Sequence, residues 1–409
     1  MTDHSTQATS FLLTRQPIFD AKKMLWGYQL LTKEGGESTA ATVQDIVSAP
    51  FLGLQQIVAR DKKIMVSFDG QSILDDAPYA LPPAHTVVKV DQDLLEVDVL
   101  AEKLGKLRDE GFHLCLRVPP GEDPSDLALA FKPDLLSFRA LDSARTGKAA
   151  SRAERARHFL VKHIPDNGTF EAAKGQGFTL FQGPFFKEAE IVPDRKLTSH
   201  QISRFNLFKL IEQEDPDFNA LADAIKTDVS ISFRLLAYLN TAAFGFTQKV
   251  QSIKQAITLL GWKKIKNWLR AVLLSDMAKT GDDVPELLLL SVQRGKFLEG
   301  VATDYDFWGF DPGNLFLLGM FSLLDALLGM PMPRIVDFLP LDAKLRAALC
   351  RDPNNEYLPL FALMEALEDA DWGRLDGVIQ NLSLDPEKIK ASHTAAMEWA
   401  NAFFTLPRN

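Results

Sequence analysis

The sequence predicts two bodies of different class, an α/β domain over residues 11–190 followed by an all-α domain over residues 197–405. Three observations carry this. Short β-rich runs alternate with helical stretches as far as about residue 186. A charged connector containing Pro193, from Lys187 to Thr198, then interrupts the pattern. Beyond it almost every segment carries the 3.6-residue period of an amphipathic helix. A chain of 409 residues is also too long for one ordinary core and suits two.

In the first domain Ile64–Phe68 and Thr86–Val90 read as strands. Between Leu94 and Asp109 the apolar residues Leu95, Val99, Leu100, Leu104 and Leu107 recur at helical spacing, and Glu110-Gly111 ends that helix. His113–Val118 is a further strand, closed by Pro119-Pro120-Gly121; Leu135–Phe138 and His158–Val161 repeat the theme. Strand–helix repeats of this kind imply parallel strands, arranged as a (β/α) barrel or as an open sheet. The second domain has helical periodicity in Phe205, Phe208, Leu210 and Ile211, in Ile231, Leu235, Leu236 and Leu239, and in Trp262, Ile265, Leu269, Val272 and Leu273. No fixed-period repeat marks a solenoid. A connector of about a dozen residues without a flexible Gly or Ser tract keeps the two bodies adjacent.

Composition narrows the function. Hydrophobic residues at 46% and charged residues at 24% describe an ordinary globular protein. A net charge of −9 opposes a phosphate backbone, so no nucleic acid partner is expected. Lys263, Lys264, Lys266 and Arg270 flank Trp262 and Trp268, but the charges and the apolar positions fall on different faces, as in any amphipathic helix. Cys115 and Cys350 read as reduced core thiols. Met1–Ser5 lacks a secretory pattern and reads as a frayed tail, and the longest apolar stretch, Leu315–Met330, is too short to span a bilayer. The expectation is a cytoplasmic chain with no membrane span. His158 and His163 have no Cys or carboxylate at ligand spacing and read as structural.

Two motifs then identify the first domain. Thr14–Asp20 with Trp26–Lys33 resembles the opening of an EAL domain, a Gln-Pro-Ile strand followed by Gly-x-Glu-Ala-Leu-x-Arg, and Gly177–Phe186 resembles the family's closing strand. In the second domain Asp228–Gly245 and Val250–Trp262 are similar to the central helices of HDOD domains. The resemblance implies a TIM-like EAL barrel preceding an HDOD domain, an arrangement of bacterial signalling proteins.

An active EAL domain hydrolyses cyclic di-GMP with divalent cations held by carboxylates at the ends of the barrel strands. The resemblance puts Gln29 at the motif Glu and Lys33 at the motif Arg. It puts Ser67 at the expected Asn, Lys89 at the next Glu, and Arg117-Val118 at an Asp-Asp pair. Ser137 and Arg139 correspond to a Lys-x-Asp segment, and Lys162 opens the segment matching a late Glu-rich run. The barrel therefore reads as degenerate, with no catalytic residue, no metal and no cofactor. Asp91 and Asp93 are the nearest alternative carboxylates and are expected to begin the next loop or helix. The HDOD domain resembles the HD phosphohydrolase scaffold, yet no histidine lies between His200 and His393, and Ser322-Leu323 stands where the His-Asp pair would be.

What survives is binding chemistry. Gln16 and Lys33 could contact a cyclic dinucleotide phosphate. Lys89, Arg117, Arg139 and Lys162 could form a metal-free basic pocket if they converge, or could pair with neighbouring carboxylates. The implied function is a catalytically inactive regulatory protein acting by protein–protein interaction with other signalling proteins; the alternative is a receptor that binds cyclic di-GMP without metal and without hydrolysis.

Overall fold

The computed structural model describes residues 12–33, 40–139, 157–213, 253–278, 284–305 and 309–404, with a few positions between them. The tail Met1–Ser5 and nearly all of the Asp228–Gly245 motif lie outside the described residues. The chain packs as two units, Met1–Glu188 with Phe361–Leu384, and Ala189–Leu360 with Asp385–Asn409. Sequence periodicity assigned Phe361–Leu384 to the helical domain; by packing it belongs with the barrel.

The first unit is a closed barrel of eight strands in chain order. They are β1 (Leu13–Asp20), β2 (Leu25–Thr32), β3 (Lys63–Ser67), β4 (Thr86–Asp91), β5 (His113–Arg117), β6 (Leu135–Arg139), β7 (His158–Lys162) and β8 (Leu180–Phe181). Strands β2 to β8 are parallel, as the strand–helix repeats imply, and β1, joined to β2 without a helix, runs antiparallel to both β2 and β8. The reason is local: only Ala21 to Met24 separate β1 from β2, and a parallel crossover needs about a dozen residues or more. Asp20 fixes that turn, its Oδ1 accepting from the backbone N–H of Lys22 at 2.8 Å and of Met24 at 2.9 Å.

Apolar residues on both faces make β3 to β6 nearly continuous buried runs, as expected of parallel strands covered by helices. Inside the barrel Ile18, Met65, Val87, Cys115, Leu135, Leu160 and Leu180 form one fully buried cluster, with Trp26 packed against it. The helix Asp98–Asp109 buries Leu100, Leu104 and Leu107, while Val99 faces solvent and Leu95 belongs to a preceding 3₁₀ turn. Closure rests on aromatic packing: Phe170 stacks on Phe185 at 4.8 Å, and Phe19 meets Phe186 at 4.9 Å. Gly183 permits it. Its φ of 150° suits glycine, and a Cβ there would lie 2.3 Å from the Ile164 carbonyl oxygen.

Among its described residues the second unit has helices and connecting turns and no strand. The helix Ser199–Ile211 opens on a capping box, with Thr198 Oγ1 accepting from Gln201 N and Gln201 Oε1 accepting from Thr198 N. Helices Trp262–Met277, Val284–Asp304, Pro312–Phe321 and Pro386–Phe404 surround a core that includes Trp268, Phe205, Phe208, Phe316 and Phe321. Val284–Asp304 and Pro312–Phe321 meet backbone to backbone at Gly295 and Gly319, where a Cβ on Gly319 would lie 2.4 Å from the Arg294 carbonyl oxygen. Two expectations are corrected. Arg270 is buried at 3% exposure and is not part of a solvent face, and Cys350 lies exposed at a helix end while Cys115 alone is a core thiol. Among the described residues no helix is long and apolar enough to cross a membrane.

Candidate functional site

Strand register places nearly all the sequence-predicted barrel residues on one inward storey. Side chains alternate along a strand, so a residue two positions beyond a core residue faces the same way. Ser67 follows Met65, Lys89 follows Val87, Arg117 follows Cys115, Ser137 follows Leu135, Lys162 follows Leu160 and Gln182 follows Leu180, each by that step. The cross-strand pairs Gln16 with Gln29, Gln29 with Met65, Ser67 with Lys89, Lys89 with Cys115, Arg117 with Ser137, and Arg139 with Lys162 agree with this arrangement. The storey caps the apolar core at the C-terminal ends of the parallel strands, the face on which barrel enzymes build their sites.

Its polar groups are enclosed to different degrees. Gln29, Ser137 and Gln182 are at most 2% exposed, and Lys89 is 8% exposed. Gln29 Nε2 reaches Ser67 Oγ at 3.5 Å, a long contact. Gln29 Oε1 and both polar atoms of the Gln182 amide are buried without a hydrogen-bond partner. Lys162 has intermediate exposure as a residue, but its amino group is enclosed and within hydrogen-bonding reach of Lys89. Burial first, then the charges of Lys89 and Arg117, hold its pKa well below the ordinary lysine value. Burial and the charges of Lys162, Arg139 and Lys89 likewise bring the His163 imidazole down to about 4. The Cys115 thiol beneath is pushed up to about 12 by burial and stays protonated.

Other residues have settled partners. Arg117 forms a two-pronged ion pair with Asp91, which ends β4 and, as expected, stands at the start of the 3₁₀ turn Gln92–Glu96, with Asp93 in its first turn. Gln16 donates from Nε2 to the Glu368 carbonyl at 3.0 Å, and Lys33 pairs with Asp376. Both partners lie on Phe361–Leu384, and Lys187 binds the same segment through Glu368 at 2.7 Å and Asp369 at 3.1 Å. The structure thus separates Gln16 and Lys33, engaged at the β1–β2 rim, from the cations of β4 to β7. Gln182 was missed in the sequence, although it lies inside the Gln-Gly motif quoted for the closing strand.

These residues do not fit a divalent cation. A hard metal ion needs several oxygen donors and a negative charge count, whereas two lysines, an arginine, two amides and two hydroxyls line this storey. Among the described residues no group of three or more His, Cys, Asp or Glu side chains could hold a metal.

In the second unit Ser322 donates from Oγ to the Gly319 carbonyl at 2.7 Å and accepts from Arg294 Nη1 at 2.8 Å. Leu323 is buried, and Arg294 is 3% exposed. Burial raises the carboxyl pKa of nearby Asp325, and Arg351 and Arg294 offset part of that rise. A second polar network escaped the sequence reading. Arg270 binds both oxygens of Glu212 at 2.6 and 2.7 Å and also donates to Asn267; Asn267 donates to Glu299, which Lys296 binds from its other oxygen at 2.8 Å. It borders a cleft lined by Lys263, Asn267, Lys296, Ser392 and Trp399.

Comparison with known proteins places these observations. Residues 200–327 match the HDOD domain family. The chain is 27% identical over 405 residues to the uncharacterized protein YuxH of Bacillus subtilis, covering 95% of this chain and 98% of that one. It is 28% identical over 409 residues to the cyclic di-GMP phosphodiesterase CdgJ of Vibrio cholerae, covering 97% and 93%. Among solved structures it is similar to the EAL enzyme Bd1971 with cAMP and cyclic di-GMP, at 14% identity and a TM-score of 0.37 over 44% of this chain and 61% of that one. Klebsiella pneumoniae BlrP1 with manganese and cyclic di-GMP gives 15% identity and a TM-score of 0.36 over 45% and 56%. The chain spans less than two thirds of the length of either solved structure. The chain thus joins a closed eight-stranded barrel to a helical unit that matches the HDOD domain family, and two relatives match it along nearly its whole length.

Proposed function

We propose that the protein is a non-catalytic regulatory adaptor in bacterial signal transduction, acting through contacts with other signalling proteins. The observation that carries this reading is the presence of Lys89 and Lys162 on the inward storey of the barrel, where the EAL resemblance calls for carboxylates. A cation there repels magnesium or manganese and removes the means of activating water. The relative CdgJ is described as a phosphodiesterase, and the non-catalytic reading is supported by the residues of this storey, not by the overall similarity.

The test is turnover. Purified full-length protein with cyclic di-GMP and magnesium or manganese is expected to yield no linear or hydrolysed product, and Gln29→Glu alone is expected to restore none, because one added carboxylate would still face two lysines. Sustained metal-dependent hydrolysis that disappears in Asp91→Asn would overturn the reading. A second reading, a receptor that binds cyclic di-GMP without hydrolysis, is favoured by the buried, unpartnered Gln29 Oε1 and Gln182 amide.

A further inference from the structure

From the inward storey of the barrel we infer that Lys162, Lys89 and the Gln182 amide form a metal-independent site for a phosphoryl group. The inference rests on the non-catalytic reading only in taking the site to work without a metal.

Three features converge on it. Lys89 and Lys162 stand on β4 and β7, inward and one step above the apolar core, with amino groups within hydrogen-bonding reach of each other. Gln182 follows on β8, paired alongside β7, and its backbone N–H donates to Val161 O at 2.9 Å. Its side chain is 2% exposed, faces the same interior and has no partner at either polar atom. A buried amide left unsatisfied by the protein costs about 1–3 kcal/mol, so it calls for a partner from outside the chain. Two lysine side chains and a buried amide donor that face the same barrel interior suit an oxyanion, and a tetrahedral phosphoryl group has enough acceptors for all of them.

The charged and titratable surroundings support the same ligand. Lys89 comes from β4, Cys115 and Arg117 from β5, Arg139 from β6, and His163 follows Lys162 itself. Asp91 is committed to Arg117, and the Cys115 thiol is protonated, so neither supplies an anion to Lys162. An arriving anion would stabilise the Lys162 ammonium, which burial and like charge disfavour in the empty site. Binding therefore takes up a proton and weakens as pH rises.

Calorimetric titration of the full-length chain in EDTA, with inorganic phosphate, guanosine monophosphate and cyclic di-GMP in separate arms, tests this. Repeating each arm in two buffers of different ionisation enthalpy reads the proton uptake. The expected result is saturable binding in at least one arm with net proton uptake, at least tenfold weaker in Lys162→Met and in Gln182→Leu. Both variants are checked for native circular dichroism and melting temperature, and Lys162→Met is expected to fold natively with a melting temperature close to the parent's. Binding of cyclic di-GMP alone identifies a diester ligand, and binding of the other two identifies a terminal phosphate. No saturable heat in any arm, or binding unchanged in folded Lys162→Met, would overturn the inference. Hydrolysis during the cyclic di-GMP arm, followed separately by chromatography, would instead overturn the non-catalytic reading.

Discussion

The barrel mouth and the Ser322 region both bury a cationic side chain where the family resemblances call for metal ligands, but they satisfy it differently. In the helical unit Arg294 donates to Ser322, and that hydroxyl in turn donates to the Gly319 carbonyl, so the cation is tied into the packing of two helices. In the barrel, Lys162 meets a second lysine, and the amides of Gln29 and Gln182 are left with unpartnered atoms. The first arrangement is structural: a planar, always-charged guanidinium locked by hydrogen bonds. The second stores unsatisfied polar groups and a lysine whose charged form burial disfavours, which lowers stability and suits binding. The contrast teaches that loss of a metal site can end in a packed core or in a different binding chemistry.

The largest expected effect tests the structural half of that contrast. Arg294→Ala removes a cation 3% exposed and strips Ser322 of its donor, and it should cost about 3–5 kcal/mol in denaturant unfolding. Lys162→Met should change stability by less than about 1.5 kcal/mol in either direction. If the two effects were equal, or reversed, the distinction between a locked and an open cation would collapse.

Next in size is Gly183→Ala. The added methyl would press on the Ile164 carbonyl at 2.3 Å from a backbone with φ 150°, next to Gln182, and should cost about 2–3 kcal/mol. A variant as stable as the parent would show that the closing strand is looser than its aromatic packing implies.

A smaller effect lies in pH dependence. His163 has a folded pKa of about 4, below its unfolded value of 6.5, so the unfolded chain binds more protons between those limits. The stability tied to its neutral form is present above pH 6.5 and is lost as pH falls towards 4. Because the residue is largely exposed, solvent screening reduces the effect to about 1 kcal/mol. Lys162 acts with the same sign at higher pH: its depressed folded value makes stability rise as pH climbs towards the unfolded lysine value. Melting curves across pH should therefore slope upward in the parent, lose the acid part in His163→Asn and the alkaline part in Lys162→Met. The smallest effect is Lys33→Ala. It breaks an exposed pair with Asp376 and should cost under about 1 kcal/mol.

Much of this was legible in the sequence for a physical reason. Parallel barrel strands are short and apolar on both faces, so runs such as Thr86–Val90 and His113–Val118 stand out between turn residues. Direction is not written in such a run, and the reversal of β1 could have been read only from the brevity of Ala21–Met24. The inward storey was legible because family motifs fall on fixed strand ends. The partners of its members were not, since Gln16 meets Glu368 and Lys33 meets Asp376 from more than 300 positions away in the chain. For the same reason periodicity could not tell that Arg270 is buried against Glu212, because a charged residue with a distant partner looks in sequence like a charged residue in water.

The central claim is that the barrel's inward storey is cationic and works without a divalent ion, and direct metal titration tests it most simply. Manganese added to the purified full-length chain, followed by electron paramagnetic resonance of the free ion, should show no saturable site, with the same result in Asp91→Asn. One or two saturable sites per chain, lost when Asp91 is changed, would contradict the account.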